Sequence, residues 1–403
     1  MTKNKNQNIL VLMCSLVYFI SYVTRVNYQA IISEIVASEG ISKDVASFAI
    51  TGLFITYGTG QIICGILGDK IKPQNIMLSG LFISTLMNVL LPLYVNPVYM
   101  AVIWCINGFA QAMMWPPIVK ILTTYLDDYA YSKSCVTVSY GSQIGTIVVY
   151  LLSSMFAALN SWRMLFFVSA AAGVIGIIVI KTCLDKATNA LIPVERKVEG
   201  EENVQTKTFK VSTWIFVILG VMLAIMLQGS LRDGVTTWMP SLINEVYGID
   251  TSGAIVTSIV LPIFSIFCFN LSQKLLNKYF KNEIVCGGVI FAFVFVVSCL
   301  MWLFHDDSFI LTVILNMLIV GGVHGVNFVL VCIAPKRFRS YGNIATMSGI
   351  LNFSTYVGSA LSTYGFAVIS EQSGWSTTIG MWIVIAALGA LMCFMSAKKW
   401  EKL

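Results

Sequence analysis

The chain has 403 residues, of which 57% are hydrophobic and only 11% charged. A soluble domain carries about 25% charged residues, so this chain has too little polar surface to face water and reads as an integral membrane protein. The net charge of +6 says less than the places where the charges fall.

Apolar runs recur near residues 8–31, 45–67, 75–95, 98–122, 134–159, 163–184, 211–233, 253–274, 284–304, 309–333, 342–369 and 376–397. Each is long enough to cross a hydrocarbon core of roughly 30 Å as a helix. The first opens on "MTKNKNQNILVLMCSLVYF", a basic start before an apolar core. No small-residue cleavage site follows, so it is read as an uncleaved first span. Arg25 stands near the middle of that span, in "LVYFISYVTRVNYQAII". A charge at the bilayer centre costs roughly 2.5–3.5 kcal/mol on insertion scales, so Arg25 needs either a partner or a function.

The second span ends in "GILGDKIKP", which sets Gly65, Asp69 and Lys70 at a sharp basic turn. After the sixth span comes the longest polar stretch, "DKATNALIPVERKVEGEENVQTKTFK". It has no sustained apolar period and is expected to be a linker, residues 185–210, between bundles 1–184 and 211–403. The seventh span then repeats features of the first. "TRVNYQAIISEIVASEGIS" and "LRDGVTTWMPSLINEVYGID" each run from an arginine through a glutamate to a Gly-Ile pair. Arg25 and Arg232 therefore occupy equivalent places. Parallel repeats of this kind belong to the major facilitator architecture, with its substrate site near the midplane between the halves. The expected fold is an all-α polytopic membrane protein, twelve transmembrane helices in two pseudo-symmetric six-helix bundles.

Lysine and arginine gather in the segments on one side, including Lys72, Lys186, Lys278, Arg337 and Lys398, while Lys43 and Arg163 alone fall on the other. By the positive-inside rule both termini are expected in the cytoplasm, and the membrane is read as the plasma (inner) membrane. The ten cysteines lie mostly within spans and form no CxxC pair, so no disulfide framework or metal site is expected. Polar stripes run along several spans: Ser139, Gln143, Thr146 and Tyr150; Asn316, His324 and Asn327; Asn352, Tyr356, Ser359 and Thr363. Such stripes either bond neighbouring helices or line a wet cavity. Packing is the expected role of Ser139, Thr146 and Thr363, and His324 is open to either.

Several stretches resemble the organophosphate:inorganic-phosphate antiporter family, which includes bacterial glycerol-3-phosphate and hexose-phosphate transporters. "YVTRVNYQA", "NGFAQAMMWPPIVK" and "LRDGVTTWMPSLI" resemble its first-, fourth- and seventh-helix patterns, and "IAPKR" and "STYVGSA" its tenth and eleventh. "GILGDKIKP" resembles the wider superfamily's turn signature. The resemblance implies Arg25 and Arg232 as a phosphate-binding pair, with Tyr18, Tyr22, Gln111, Trp115 and Tyr356 as further cavity positions. Departures fall on the organic half of the pocket. Gln61 stands where the family has a lysine, Ser142 beside Gln143 where it has a histidine, Gly229 where it has an aromatic, and Met114 where it has glycine.

Asp233 follows Arg232 but, at 100° per residue, is expected to point away from it. Two guanidiniums without enough counterions then form an anion site. The expected protein is a secondary transporter of a small organic anion, a phosphate ester foremost, working by alternating access in exchange for inorganic phosphate. A transporter-like sensor of a sugar phosphate and a proton-coupled symporter of another organic anion stay open. No enzyme activity, cofactor, metal or nucleic-acid partner is expected; the chain should contact lipid and act as a monomer.

Overall fold

Backbone that leaves water must pair its N–H and C=O groups internally, and for an apolar run of about 20 residues the helix does this within one segment. The computed structural model describes residues 2–68, 71–192, 211–341 and 344–401, and these form helices and turns with no strand. Asp69 and Lys70 lie outside the described residues, as do residues 193–210 of the expected linker. Gly65 falls in the last turn of its helix.

The first span is made of two pieces, α1 (Thr2–Val23) and α2 (Asn27–Glu39), with a non-helical turn between them. The first half continues with α3 (Lys43–Gly68), α4 (Pro73–Leu90), α5 (Pro97–Ala112), α6 (Trp115–Tyr125), α7 (Asp128–Ala158) and α8 (Trp162–Val179). A wide turn at Ile180–Leu184 carries α8 into α9 (Asp185–Asn189). The sixth span thus runs five residues beyond the expected limit at 184. Bonds from Lys72 to Asp185 (3.2 Å) and from Gln74 to Thr188 (3.0 Å) hold that extension against the start of α4.

The second half holds α10 (Val211–Tyr247), α11 (Thr251–Thr257), α12 (Val260–Tyr279), α13 (Glu283–Phe304), α14 (Phe309–Asn327) and α15 (Ile344–Trp400). Eleven segments of the described residues have the length and hydropathy to cross a membrane. The last, Gly349–Trp400, has 52 residues, about 78 Å of helix, and is too long for one crossing. Gly374 breaks it with φ 78° and ψ 177°, which divides α15 into arms 344–373 and 375–400 and brings the crossings to twelve. Arg232 lies well inside α10, because the seventh span continues to Tyr247 instead of ending near 233.

The repeat seen in sequence has a geometric counterpart. Gly40 and Gly248 sit just beyond α2 and α10 with φ of 64° and 65°, the left-handed conformation that ends a helix without a Cβ clash. Trp162, at the start of α8, donates its indole N–H to Glu39 at 2.8 Å; Trp375, at the start of the last arm, donates to Glu245 at 2.9 Å. Each bond ties the last helix of a half to the first.

Among the described residues, hydrogen bonds between the halves cluster on the side away from Lys72, Lys278 and Arg337. Gln29 donates to Thr237 at 2.7 Å, Ser33 pairs with Ser241 at 2.9 Å and Ser154 with Ser252 at 2.9 Å. Lys43 is the centre of this contact. Its ammonium pairs with Glu245 at 2.6 Å and lies over the Trp375 ring, while its backbone N–H donates to Glu371. That end of the molecule is closed.

Lys43→Met should loosen the closed end. The Lys43 side chain is 8% exposed and Glu245 40%, so the pair falls between surface and buried limits, worth about 1 kcal/mol. A membrane-impermeant maleimide applied from that side should then label a cysteine replacing Gln29 roughly fivefold faster, in a cysteine-depleted background. An unchanged rate would remove Lys43 from the gate.

Candidate functional site

Between the halves, near mid-membrane, lies a cavity of about 120 Å³. The end of α1 supplies Tyr22, the break after it Arg25, α3 Tyr57, α7 Gln143, α10 Arg232 and α14 His324. Residues from α2, α5, α12 and α15 complete it, whereas α4, α8, α13 and the last arm of α15 supply none. Both halves therefore own the wall, as a site that opens alternately to two sides requires.

Arg25 is held by aromatic rings. Its guanidinium carbon lies 4.2 Å from the Tyr22 ring centre and 4.7 Å from that of Tyr57. Among the described residues no carboxylate forms an ion pair with it. Ring faces are weak partners, each worth about 0.5–2 kcal/mol, and leave the charge itself uncompensated.

Arg232 differs, and here an expectation fails. Asp233 does not point away: Arg232 Nε donates to Asp233 Oδ1 at 2.9 Å and Nη2 to Oδ2 at 2.7 Å. The helical offset of 100° is real, but a flexible arginine stem folds back across it. Ser359, on the polar stripe of α15, adds a 2.5 Å bond to the same carboxylate. The cavity therefore carries one open guanidinium and one already clamped. Tyr356 joins them across the halves: its ring centre is 4.6 Å from that of Tyr57 and 5.6 Å from the Arg232 guanidinium carbon.

Of the sequence-derived candidates, Arg25, Arg232, Tyr22, Gln143, His324 and Tyr356 line this cavity. Four do not. Tyr18 and Trp115 lie against each other at 5.1 Å with their rings tilted by 40°, and Tyr18 meets Tyr22 edge-on at the same separation, one layer back from the cavity. Gln61 is buried one helical turn past Tyr57, its amide nitrogen without a partner. The right helix face was chosen, one turn too far along it. Gln111 is buried behind the α1–α2 break, where its Nε2 donates to Thr24 Oγ1 at 2.8 Å.

Thr146 lines the cavity, contrary to the packing expectation, whereas Ser139 bonds the Cys135 carbonyl in its own helix. Tyr57, Gln29, Thr236 and Trp104 belong to the wall and were missed. Tyr57 had a signal, lying four residues before Gln61 on one helix face. Trp104 had none, because an aromatic inside an apolar run reads as packing. The Gly229 departure has a steric cause: a Cβ there would lie 2.1 Å from the Thr355 carbonyl oxygen, so α10 and α15 pack backbone against backbone.

A two-halved bundle of twelve crossings around a shared cationic cavity defines a membrane transport protein. Residues 14–363 match the Major Facilitator Superfamily, and the chain belongs to that family. It is similar to a probable hexose phosphate transport protein of Chlamydia muridarum, 22% identical over 94% of this chain and 88% of that protein. It is also similar to the glycerol-3-phosphate transporter of Bacillus subtilis, 23% identical over 84% and 80%. Membrane sensor protein UhpC of Escherichia coli is 21% identical over 93% and 88%. Among solved structures, a bacterial homolog to the human lysosomal transporter Spinster, inward-facing and unoccupied, superposes with a TM-score of 0.77, covering 98% of each chain at 12% identity. The xylose transporter XylE from Escherichia coli gives 0.70, covering 96% and 98% at 13%. These place the chain among transporters and not among enzymes.

Asp233→Asn should free the Arg232 fork and tighten binding of inorganic phosphate by about tenfold, or 1.4 kcal/mol, in equilibrium titration of the purified protein. Unchanged or weaker binding would mean that Asp233 does not compete with an anion for Arg232.

Proposed function

We propose that this protein is a secondary transporter that carries a small phosphate ester across the inner membrane in exchange for inorganic phosphate. The observation that carries the reading is Arg25: a guanidinium in the shared cavity, held by two tyrosine faces and paired with no carboxylate among the described residues. A planar fork receives two phosphate or carboxylate oxygens side by side and stays charged near neutral pH. The names of the hexose-phosphate and glycerol-3-phosphate relatives support a phosphate ester as the cargo.

With both termini in the cytoplasm, as the placement of basic residues argues, the closed end faces outward and the cavity is reached from inside. Phosphate bound to Arg25 would share its charge with Arg232 across the Tyr57–Tyr356 contact and draw the two halves together. Binding energy of the anion then offsets the loss of the contacts around Lys43, and the halves rock to open outward. Two six-helix bundles, 1–184 and 211–403, would move as the rocking units.

A second reading rests on Asp233. Asp233, a carboxylate within a span, lines the cavity beside Arg232, and His324 lines it too. A carboxylate that surrenders its arginine to the cargo is able to take up a proton, which would make the cycle a proton symport. The likeness to a membrane sensor protein adds a third outcome, binding without net movement.

Arg25→Lys should weaken phosphate binding at least about tenfold although charge is kept, because a point ammonium cannot fork onto two oxygens. Wild-type affinity in that variant would sink the reading.

Coupling is tested in vesicles preloaded with phosphate. Under exchange, uptake of glycerol-3-phosphate or a hexose phosphate persists after an uncoupler collapses the proton gradient, and His324→Gln retains that countertransport. Under symport, uptake is abolished by uncoupler and indifferent to internal phosphate. Binding of the ester with no uptake in either condition would identify a sensor.

A further inference from the structure

The turn that presents Arg25 has no local cause. The stretch "YVTRVNY", residues 22–28, contains neither proline nor glycine, yet helical structure lapses between Val23 and Asn27. A helix without such residues breaks where a side chain enters its hydrogen-bond ladder. Two do so here. The Thr24 carbonyl, which in a continuous helix would accept from the Tyr28 N–H, accepts instead from Asn88 Nδ2 at 2.9 Å and Asn107 Nδ2 at 3.1 Å. The displaced Tyr28 N–H is taken by the Asn27 side chain at 3.0 Å.

These contacts belong to one connected network. Asn27 Nδ2 donates to Asn88 Oδ1 at 2.6 Å, and Ser84 Oγ donates to Asn107 Oδ1 at 2.7 Å. Gln111 Nε2 reaches both Thr24 Oγ1 and Ser84 Oγ, at 2.8 and 2.7 Å. Thr24, Asn27, Ser84, Asn88 and Asn107 are fully buried and Gln111 is 2% exposed, so no water competes. Apart from Gln111 Oε1, which has no partner, the side-chain polar atoms of this network are paired, and they specify one arrangement because any other leaves several more unpaired. The network joins the break to α4 and α5, and Asn107 and Gln111 lie one turn apart on α5 with both aimed at Thr24.

We infer that Asn88, Asn107 and Gln111, with Ser84, are positioning residues: they hold the α1–α2 break open and so turn Arg25 into the cavity. None of them lines the cavity. The inference rests on the proposed anion role of Arg25 for its functional meaning, though not for its geometry. It also gives the "NGFAQ" stretch of α5 a purpose distinct from substrate contact. Without the brace, the Thr24 carbonyl can recover the Tyr28 N–H, the helix straightens, and Arg25 rotates away from Tyr57.

The test uses phenylglyoxal, an arginine reagent, on the full-length protein in lipid nanodiscs, with modification at Arg25 and Arg232 followed by peptide mass spectrometry. Arg232, clamped by Asp233, serves as the internal standard. In Asn107→Ala the Arg25 rate relative to Arg232 should fall at least about threefold, and likewise in Ser84→Ala, a smaller lesion for the case that the first does not fold. A purely structural weakening would raise both rates together. A ratio equal to wild type in the folded variants overturns the brace. Inorganic phosphate added to the wild type separates this from the proposed function. Protection of Arg25 supports the anion role. A brace effect without protection would defeat that role while leaving the brace intact.

Discussion

One constraint organises the molecule: a guanidinium must stand at mid-membrane without a carboxylate beside it. Water would solvate such a charge and hydrocarbon would not, so the protein has to supply an environment that tolerates Arg25 and, on the proposed anion role, leaves it able to bind. Aromatic faces meet both demands. Tyr22 and Tyr57 lie against the charge at 4.2 and 4.7 Å and give no oxygen anion that would occupy the fork. The buried amides around Thr24 do the mechanical part, since an arginine on an uninterrupted helix would have no fixed direction relative to the second half. Cavity, break and brace are consequences of the same problem.

The two halves solve it differently despite their common plan. Both first helices end in a left-handed glycine, and both are tied to the last helix of their half by a tryptophan on a glutamate. At mid-membrane the symmetry stops. α10 runs unbroken through Arg232, even with Pro240 inside it, and Asp233 satisfies the arginine from the adjacent position. The asymmetry has a physical use. Two bare guanidiniums facing each other would repel and hold the halves apart; one bare and one clamped leave a cavity that stays assembled when empty. On the proposed anion role, an arriving anion would meet Arg25 first and contest Arg232 with Asp233 second.

Closure at one end follows from where polar side chains are spent. The contacts of Gln29, Ser33, Lys43 and Ser154 with the second half are hydrogen bonds and an ion pair, set beside apolar packing that also spans the halves, where Ile255 clusters with Ala30, Val149 and Ala157. The polar contacts are individually worth about 1 kcal/mol, so opening this end costs these bonds together with the apolar burial beside them.

The amino-acid sequence by itself determined the class, the crossings and the repeat. Helix is the structure an apolar run adopts when its backbone must pair internally, and the run of arginine, glutamate and glycine after residues 25 and 232 marked two related halves. It also named six cavity residues, some because a polar group within a span is expensive enough to advertise itself and others, Tyr22 among them, through the family resemblance. Only the tertiary structure decided which polar groups face the cavity and which face each other. Gln111 and Gln61 carry the same chemistry as Gln143, and no pattern along one helix tells a brace or a buried amide from a wall. Asp233 turned from a bystander into a clamp because a side chain with four rotatable bonds can cross an angle that the backbone sets. The break at Thr24 was illegible for the most basic reason: its cause lies about sixty and eighty residues away, in Asn88 and Asn107, whose amides replace a bond that the local sequence would have made with itself.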